Sequence, residues 1–359
     1  MAIGSTVHVC GHIDGEYGMK TVVVIGCGRM GQRHIEAVMG MDDVLRLSGI
    51  VDARKAALDE ACGKYVLGNN MAFSGFDALL QNHVPDLVIV ATTAPSHHDY
   101  VVQAAEAGVK YILCEKPMAV SVRQCEAMIA ACDKSGALLA VNHPVRFTEA
   151  DIAIRDLLQS DVMGGVNAVN VSAGNFGLAM NASHNIEMLR FLTGEMPVEV
   201  QAWFDRDVVA NPRGAEFEDR SGQLRITTDG GKVMTVNASV NNGHGIIVTY
   251  AAKYGQVVLN ALTGAAIVTH RKSEFRDKPT TLYGLPAESY VTTFESSDLV
   301  ERCRKTLRAL LAGKDYPDAG TIRRTVEILA GAYMSAEQDN TVVRLGRDAL
   351  PADRVFPWA

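Results

Sequence analysis

Residues 22–34 read VVVIGCGRMGQRH. Four branched apolar residues run straight into Gly26, and Gly28 and Gly31 follow to complete G-x-G-x-x-G. The apolar run predicts a strand covered on both faces, and the residues after Gly31 predict a helix. At such a junction each glycine has a task. The first makes the tight turn, the second lets the backbone approach a pyrophosphate, and the third allows close contact of helix and strand. Free amides around Arg29 and Met30, at the positive end of the helix dipole, then face the anion. Asp52 closes the next apolar run, RLSGIVD (46–52). A carboxylate at that strand tip accepts hydrogen bonds from a ribose diol and repels a 2′-phosphate. NAD is therefore the expected cofactor and NADP the lesser candidate, because Arg54 stands where it could meet a 2′-phosphate. The alternative for Asp52 is a plain helix cap.

The alternation continues. PDLVIVAT (85–92) leads into SHHDYVVQAAEAG (96–108), KYILC (110–114) into SVRQCEAMIAACDKSG (121–136), and LLAVNH (138–143) follows. Unbroken Val/Ile/Leu runs between helices imply parallel strands with helices on both faces. Near residue 145 the rhythm changes. Helices are expected at 150–159, 183–193, 297–312 and 320–336. VNAVNVSA (166–173), VEVQAWF (198–204), GQLRITT (222–228), KVMTVNASV (232–240), IIVTYAA (246–252) and GQVVLNA (255–261) instead alternate apolar with polar. The expected fold class is α/β: an N-terminal Rossmann doubly wound parallel sheet over 19–145, then a C-terminal α/β domain over 146–359 with an open, mostly antiparallel sheet. Residues 1–18 read as an extension with no assigned function.

With 48% hydrophobic and 21% charged residues, 359 residues can fill two cores. The net charge of -7 argues against a general nucleic-acid or membrane-surface binder, and no apolar stretch approaches membrane-spanning length. Seven cysteines without a C-x-x-C pair fit a reducing cytosol, so a cytoplasmic location is expected. His97-His98 and the isolated His143 lack zinc-ligand spacing, so no metal is expected. Cys114 sits inside a strand rather than on a reactive turn.

The segments VVVIGCGRMGQRH, VIVATTAPSHHDYVVQAAEAGVKYILCEKPMAVSV (88–122), VNHPVRF (141–147), SHNIEMLRFLTG (183–194) and AGAYMSAEQDNTVVRL (330–345) together resemble the Gfo/Idh/MocA oxidoreductases, named after glucose–fructose oxidoreductase and inositol dehydrogenase. The resemblance implies that Lys116, of Glu-Lys-Pro, lies between nicotinamide and substrate and is catalytic, with Glu115 near the cofactor. A Lys partly removed from water has a lowered proton affinity, which suits it to orient and polarise a hydroxyl or carbonyl. The resemblance further implies cofactor contacts at Thr93 and His98, an Arg beside the cleft at Arg146, and a proton acceptor on a second-domain helix at His184. Glu187 lies on the same helical face and would favour the imidazolium. Position 180 departs from the pattern: it is Met where the family has Asp, and Asn181 is the nearest polar substitute. The implied reaction is hydride transfer to or from a secondary carbinol of a sugar, cyclitol or sugar derivative, in a homodimer or homotetramer joined through the C-terminal sheet. The same resemblance leaves open a retained NAD used for transient oxidation in epimerisation or glycoside cleavage, and a non-catalytic cofactor-sensing regulator.

Overall fold

The structure, a computed structural model, describes residues 18–174, 177–208 and 210–359. Apart from Gly18, the expected N-terminal extension lies outside the described residues.

Six strands form the first sheet: β1 (Lys20–Ile25), β2 (Leu45–Val51), β3 (Ala72–Phe73), β4 (Leu87–Val90), β5 (Tyr111–Cys114) and β6 (Leu138–Val141). They run parallel in the order β3-β2-β1-β4-β5-β6, which is the doubly wound order. Successive side chains point to opposite faces, so each apolar run supplies two cores. Val23, Ile25, Val88, Val90 and Ile112 face one core, and Val22, Val24, Leu87, Ile89 and Leu113 face the other. The flanking helices are α1 (Arg29–Met39), α2 (Lys55–Tyr65), α3 (Phe76–Leu80), α4 (His97–Glu106) and α5 (Val122–Ser135). The unbroken runs are thereby explained: Val22–Ile25, Leu87–Val90 and Ile112–Cys114 are buried throughout.

The second half holds α6 (Glu149–Gln159), β7 (Val166–Ala173), α7 (Ser183–Thr193), β8 (Pro197–Phe204), β9 (Gly222–Thr228), β10 (Val233–Ala238), β11 (Ile247–Ala252), β12 (Gly255–Asn260), β13 (Ala265–Arg271), β14 (Ala287–Thr293), α8 (Leu299–Ala312), α9 (Ala319–Glu337) and β15 (Val343–Arg344). Nine strands make one sheet in the order β14-β13-β12-β11-β7-β10-β9-β8-β15. All neighbours are antiparallel except β7 and β10. The expected mostly antiparallel sheet is present, with β13, β14 and β15 added.

The parallel sheet is also covered by chain from beyond residue 145. Cys303, Leu307 and Leu310 of α8 join Val22, Ile35 and Val38 in the first-domain core, so α8 returns to cover the parallel sheet. Near the C-terminus, Phe356 and Trp358 stack at 4.6 Å and pack on Tyr333 of α9. The backbone there bonds both halves: Phe356 donates to the Val120 carbonyl, and the Pro357 carbonyl accepts from Glu218. This holds the segment entering β9 against the first domain. Among the described residues no helix is long and apolar enough to cross a membrane.

Candidate active site

The C-terminal ends of β1, β2, β4 and β5 open into a cleft of about 720 Å³, closed on its far side by Met180 and by residues 212, 213, 216 and 217 of the second half. Gly26, at φ +94°, leaves no room for a side chain, because a Cβ would come within 2.7 Å of the Ala91 carbonyl oxygen. A Cβ on Gly31 would collide with the Gly26 carbonyl. At Gly28 the nearest atom to that position is an Arg54 nitrogen at 4.0 Å, so this stretch of backbone stands open to the cleft. These are the close and open approaches that a pyrophosphate over a helix N-terminus requires. Arg29, Met30, Asp52 and Thr93 line the same cleft.

Asp52 accepts from the Cys27 amide at 2.8 Å and the Arg54 amide at 2.8 Å, and meets the Arg54 guanidinium at 3.2 Å. Burial opposes its charge, but hydrogen bonds from Arg54 and Cys27 outweigh burial and hold the carboxyl below its ordinary value. The Arg54 side chain is 70% exposed. With its side chain mostly in solvent, the guanidinium can swing away and leave the Asp52 carboxylate to a ribose diol. The residues present therefore fit a dinucleotide.

Glu115 follows β5 and is buried, with one oxygen 2.7 Å from His34 Nε2 and 2.7 Å from Asn142 Nδ2. Burial would raise its pKa, but His34 and Asn142 bring it down to about 2. Burial likewise opposes charge on His34, yet Cys303 and Glu115 raise it to about 10. The pair is an ion pair beneath the cleft floor.

Lys116 comes next and crosses to the second half, donating to the Met180 carbonyl. Burial lowers its pKa to about 8. Glu115 and Asp219 hold it up, while Arg213 and Arg29 push it down. The β5 exit thus places an ammonium with a depressed proton affinity between the halves of the molecule.

Three expected site residues sit differently from the sequence reading. His98 pairs with the Asp99 carboxylate at 2.7 Å on the surface of α4. Its neighbour His97 is the buried one, bonding the Pro117 carbonyl at 2.9 Å and the Thr92 carbonyl at 3.2 Å. Glu187 does not support an imidazolium at His184: it is clamped by Arg146 at 2.8 Å and Arg190 at 2.6 Å. Arg146 is thereby committed to α7 and the 315–316 carbonyls rather than to the cleft. Glu187 shares the helical face of His184, but the two guanidiniums occupy both of its carboxylate oxygens.

His184 packs edge-on against His143, with ring centroids 5.3 Å apart. Burial, Lys116, His143 and Arg302 all drive its pKa well below the ordinary value, so its imidazole is neutral. Met180 and Asn181 belong to the short turn Leu178–Ala182 that opens α7. The carboxylate of this neighbourhood is Asp219, which sequence reasoning missed. It arrives from the segment before β9 and accepts from the Ala179 and Met180 amides at 2.8 Å each. Nothing in its local sequence, EFEDRSG, marks it out.

The family model for the Gfo/Idh/MocA oxidoreductases, described as having an NAD-binding Rossmann fold, matches residues 20–143. That match spans the glycine turn, Asp52 and the Glu-Lys-Pro segment. Over residues 20–143 the chain is similar to the Gfo/Idh/MocA oxidoreductases. Among curated proteins, D-apiose dehydrogenase of Paraburkholderia graminis is 31% identical over 191 residues, 48% of this chain and 49% of that one. Inositol 2-dehydrogenase of Rhizobium meliloti is 29% identical over 192 residues, 50% of this chain and 56% of that one. The chain spans about half the length of these curated relatives. Solved structures follow the fold further. An oxidoreductase from Agrobacterium radiobacter superposes with a TM-score of 0.75 at 18% identity, covering 92% of this chain and 99% of that one. The aldose-aldose oxidoreductase of Caulobacter crescentus gives 0.72 at 23% identity, covering 91% and 100%. At these identities the likeness is one of fold.

Among the described residues no cluster of three His, Cys, Asp or Glu side chains is arranged to hold a metal. The six described cysteines are free. Burial pushes the Cys27 and Cys132 thiols up to about 12 and Cys114 well above its ordinary value.

Proposed function

We propose that the chain is an NAD-dependent dehydrogenase acting on a secondary hydroxyl, or the matching ketone, of a sugar, cyclitol or sugar derivative. The observation that carries this reading is the Lys116 ammonium, delivered by β5 to the end of a groove whose other end is the glycine turn. The names of the D-apiose and inositol relatives support the substrate class.

Asp52 receives the adenosine ribose, and the turn amides with Arg29 face the phosphates. Bound NAD supplies the hydride acceptor. Lys116, fixed by the Met180 carbonyl, donates to the substrate oxygen and polarises it. His184, kept neutral by burial and by Lys116, takes the proton. The test is a screen of reduced-nicotinamide absorbance over sugars, sugar phosphates, nucleotide sugars and inositols, with NAD and NADP each in excess. At least one polyol is expected to yield many equivalents of NADH, with NAD preferred over NADP. No turnover anywhere in the panel, or a single equivalent only, would overturn the dehydrogenase reading.

We further infer a homodimer or homotetramer built on the open face of the nine-stranded sheet. Ile267 and Val291 are paired across β13 and β14 and are 51% and 78% exposed, an apolar patch at the end of the sheet where β14 is exposed almost throughout. Light scattering should give a multiple of the monomer mass, and Ile267→Arg should reduce it; a monomer at micromolar concentration would contradict the inference.

A further inference from the structure

The second half carries Arg146, Arg190, Arg206 and Arg213 among its scattered arginines. The structure separates them. Arg146 and Arg190 are spent on Glu187, and Arg206 borders a different depression beside Trp203. Arg213 lines the interdomain cleft, facing the glycine turn.

Among the described residues the Arg213 guanidinium has no hydrogen-bond or ion-pair partner, and the same holds for Arg29 at the first position of α1. Both line the one cleft, and each lies within electrostatic reach of the other and of Lys116. The neighbouring anions are occupied. Glu115 is bonded by His34 and Asn142, Asp52 by Cys27 and Arg54, and Asp219 by two backbone amides. Glu216 folds back over Gly214. Two unpaired cations facing each other across a partly buried cleft are unfavourable unless an anion comes between them. Burial and Arg29 both drive the Arg213 guanidinium below its ordinary value, as expected for a cation without its counter-charge.

The segment carrying Arg213 is already positioned. The Asn211 side chain accepts from the Arg213 amide at 3.0 Å. Glu218 is tied to the Pro357 carbonyl, and Asp219 to the turn that opens α7. Opposite it, Gly28 presents bare backbone.

We propose that Arg213 and Arg29 together bind the two phosphates of the dinucleotide, one guanidinium from each half of the molecule, so that the second domain holds cofactor as well as substrate. The proposal rests on the NAD reading of the groove. A pyrophosphate carries two negative charges, and a charge-assisted guanidinium–phosphate contact is among the stronger polar interactions.

The test is calorimetric binding of ADP-ribose, which has the pyrophosphate but no nicotinamide, alongside NADH fluorescence titration, each over a range of salt. Parental protein should bind both. Arg213→Ala and Arg213→Gln should each weaken both ligands by about 10- to 100-fold, flatten the salt dependence, and leave the melting temperature of the ligand-free protein unchanged. Arg213→Lys should recover part of the affinity. Parental affinity for ADP-ribose in both Ala and Gln variants overturns the proposal, as does a change confined to the KM of the substrate. Failure of the parental protein itself to bind either ligand would instead remove the cofactor reading beneath it.

Discussion

Lys116→Ala is expected to lower turnover by about 10²–10⁴-fold, the usual worth of a positioned proton-transfer or polarising group, while NADH binding changes little. The side chain spans the gap between the end of β5 and the Met180 carbonyl, and its truncation removes no core packing. The more diagnostic variant is Lys116→Arg. With a pKa of about 8, the lysine ammonium is present below that value and lost above it, so parental activity that depends on the ammonium should fall as pH rises through about 8. An arginine does not titrate in this range, and the alkaline limb should vanish from whatever activity survives. His184→Ala should cost a comparable factor, because His184 is a neutral imidazole within electrostatic reach of Lys116. Parental rates in both alanine variants would contradict the catalytic assignment.

Glu115→Ala should destabilise the fold by about 3–5 kcal/mol, the range for removing one partner of a buried ion pair. Glu115 and His34 are 7% and 0% exposed. Without the carboxylate, the His34 ring and the Asn142 amide are left buried without an acceptor. The pair also sets a pH window. The carboxyl falls from an ordinary 4.5 to about 2, so its contribution is complete above 4.5 and disappears as pH drops through about 2. The imidazole rises from an ordinary 6.5 to about 10. Its contribution is complete below 6.5 and is lost progressively as pH climbs through about 10. Stability from this pair is therefore greatest between about 4.5 and 6.5, and urea unfolding at pH 6 and pH 9.5 should show a parental decline that Glu115→Ala lacks. A loss below about 1 kcal/mol on substitution, in the range of an exposed pair, would show that the ion pair does not form.

Much of this architecture is legible in the chain because its strands are of two extreme kinds. A run such as Val22–Ile25 has no polar member, and only a strand sandwiched between helix layers tolerates that. The alternation in Gln223–Thr228 announces one wet face. Most of the elements that escaped reading lack either signature. The two-residue strands β3 and β15 are too short to carry a period. β14, AESYVTT, is exposed almost throughout, so no buried face imposes a pattern on it. At the site, Gly26, Gly28, Gly31 and Asp52 are legible because backbone geometry at strand ends dictates them, whereas Lys116 is singled out by the resemblance of its Glu-Lys-Pro segment. Asp219 and Arg213 are not, since their role arises from a long connection folding back across the groove. His97 and His98 illustrate the limit of spacing: adjacent residues at a helix start point in different directions, and only packing decides which is inside.

The central claim is that a dinucleotide laid over the Gly26–Gly31 turn brings its nicotinamide ring to Lys116. A crystal structure of the protein soaked with NAD tests it most directly. The account predicts the pyrophosphate between Gly28 and the two arginines, the adenosine ribose on Asp52, and nicotinamide C4 beside the Lys116 ammonium, open toward His184. A nicotinamide ring lying outside the cleft, or turned away from Lys116, would contradict it.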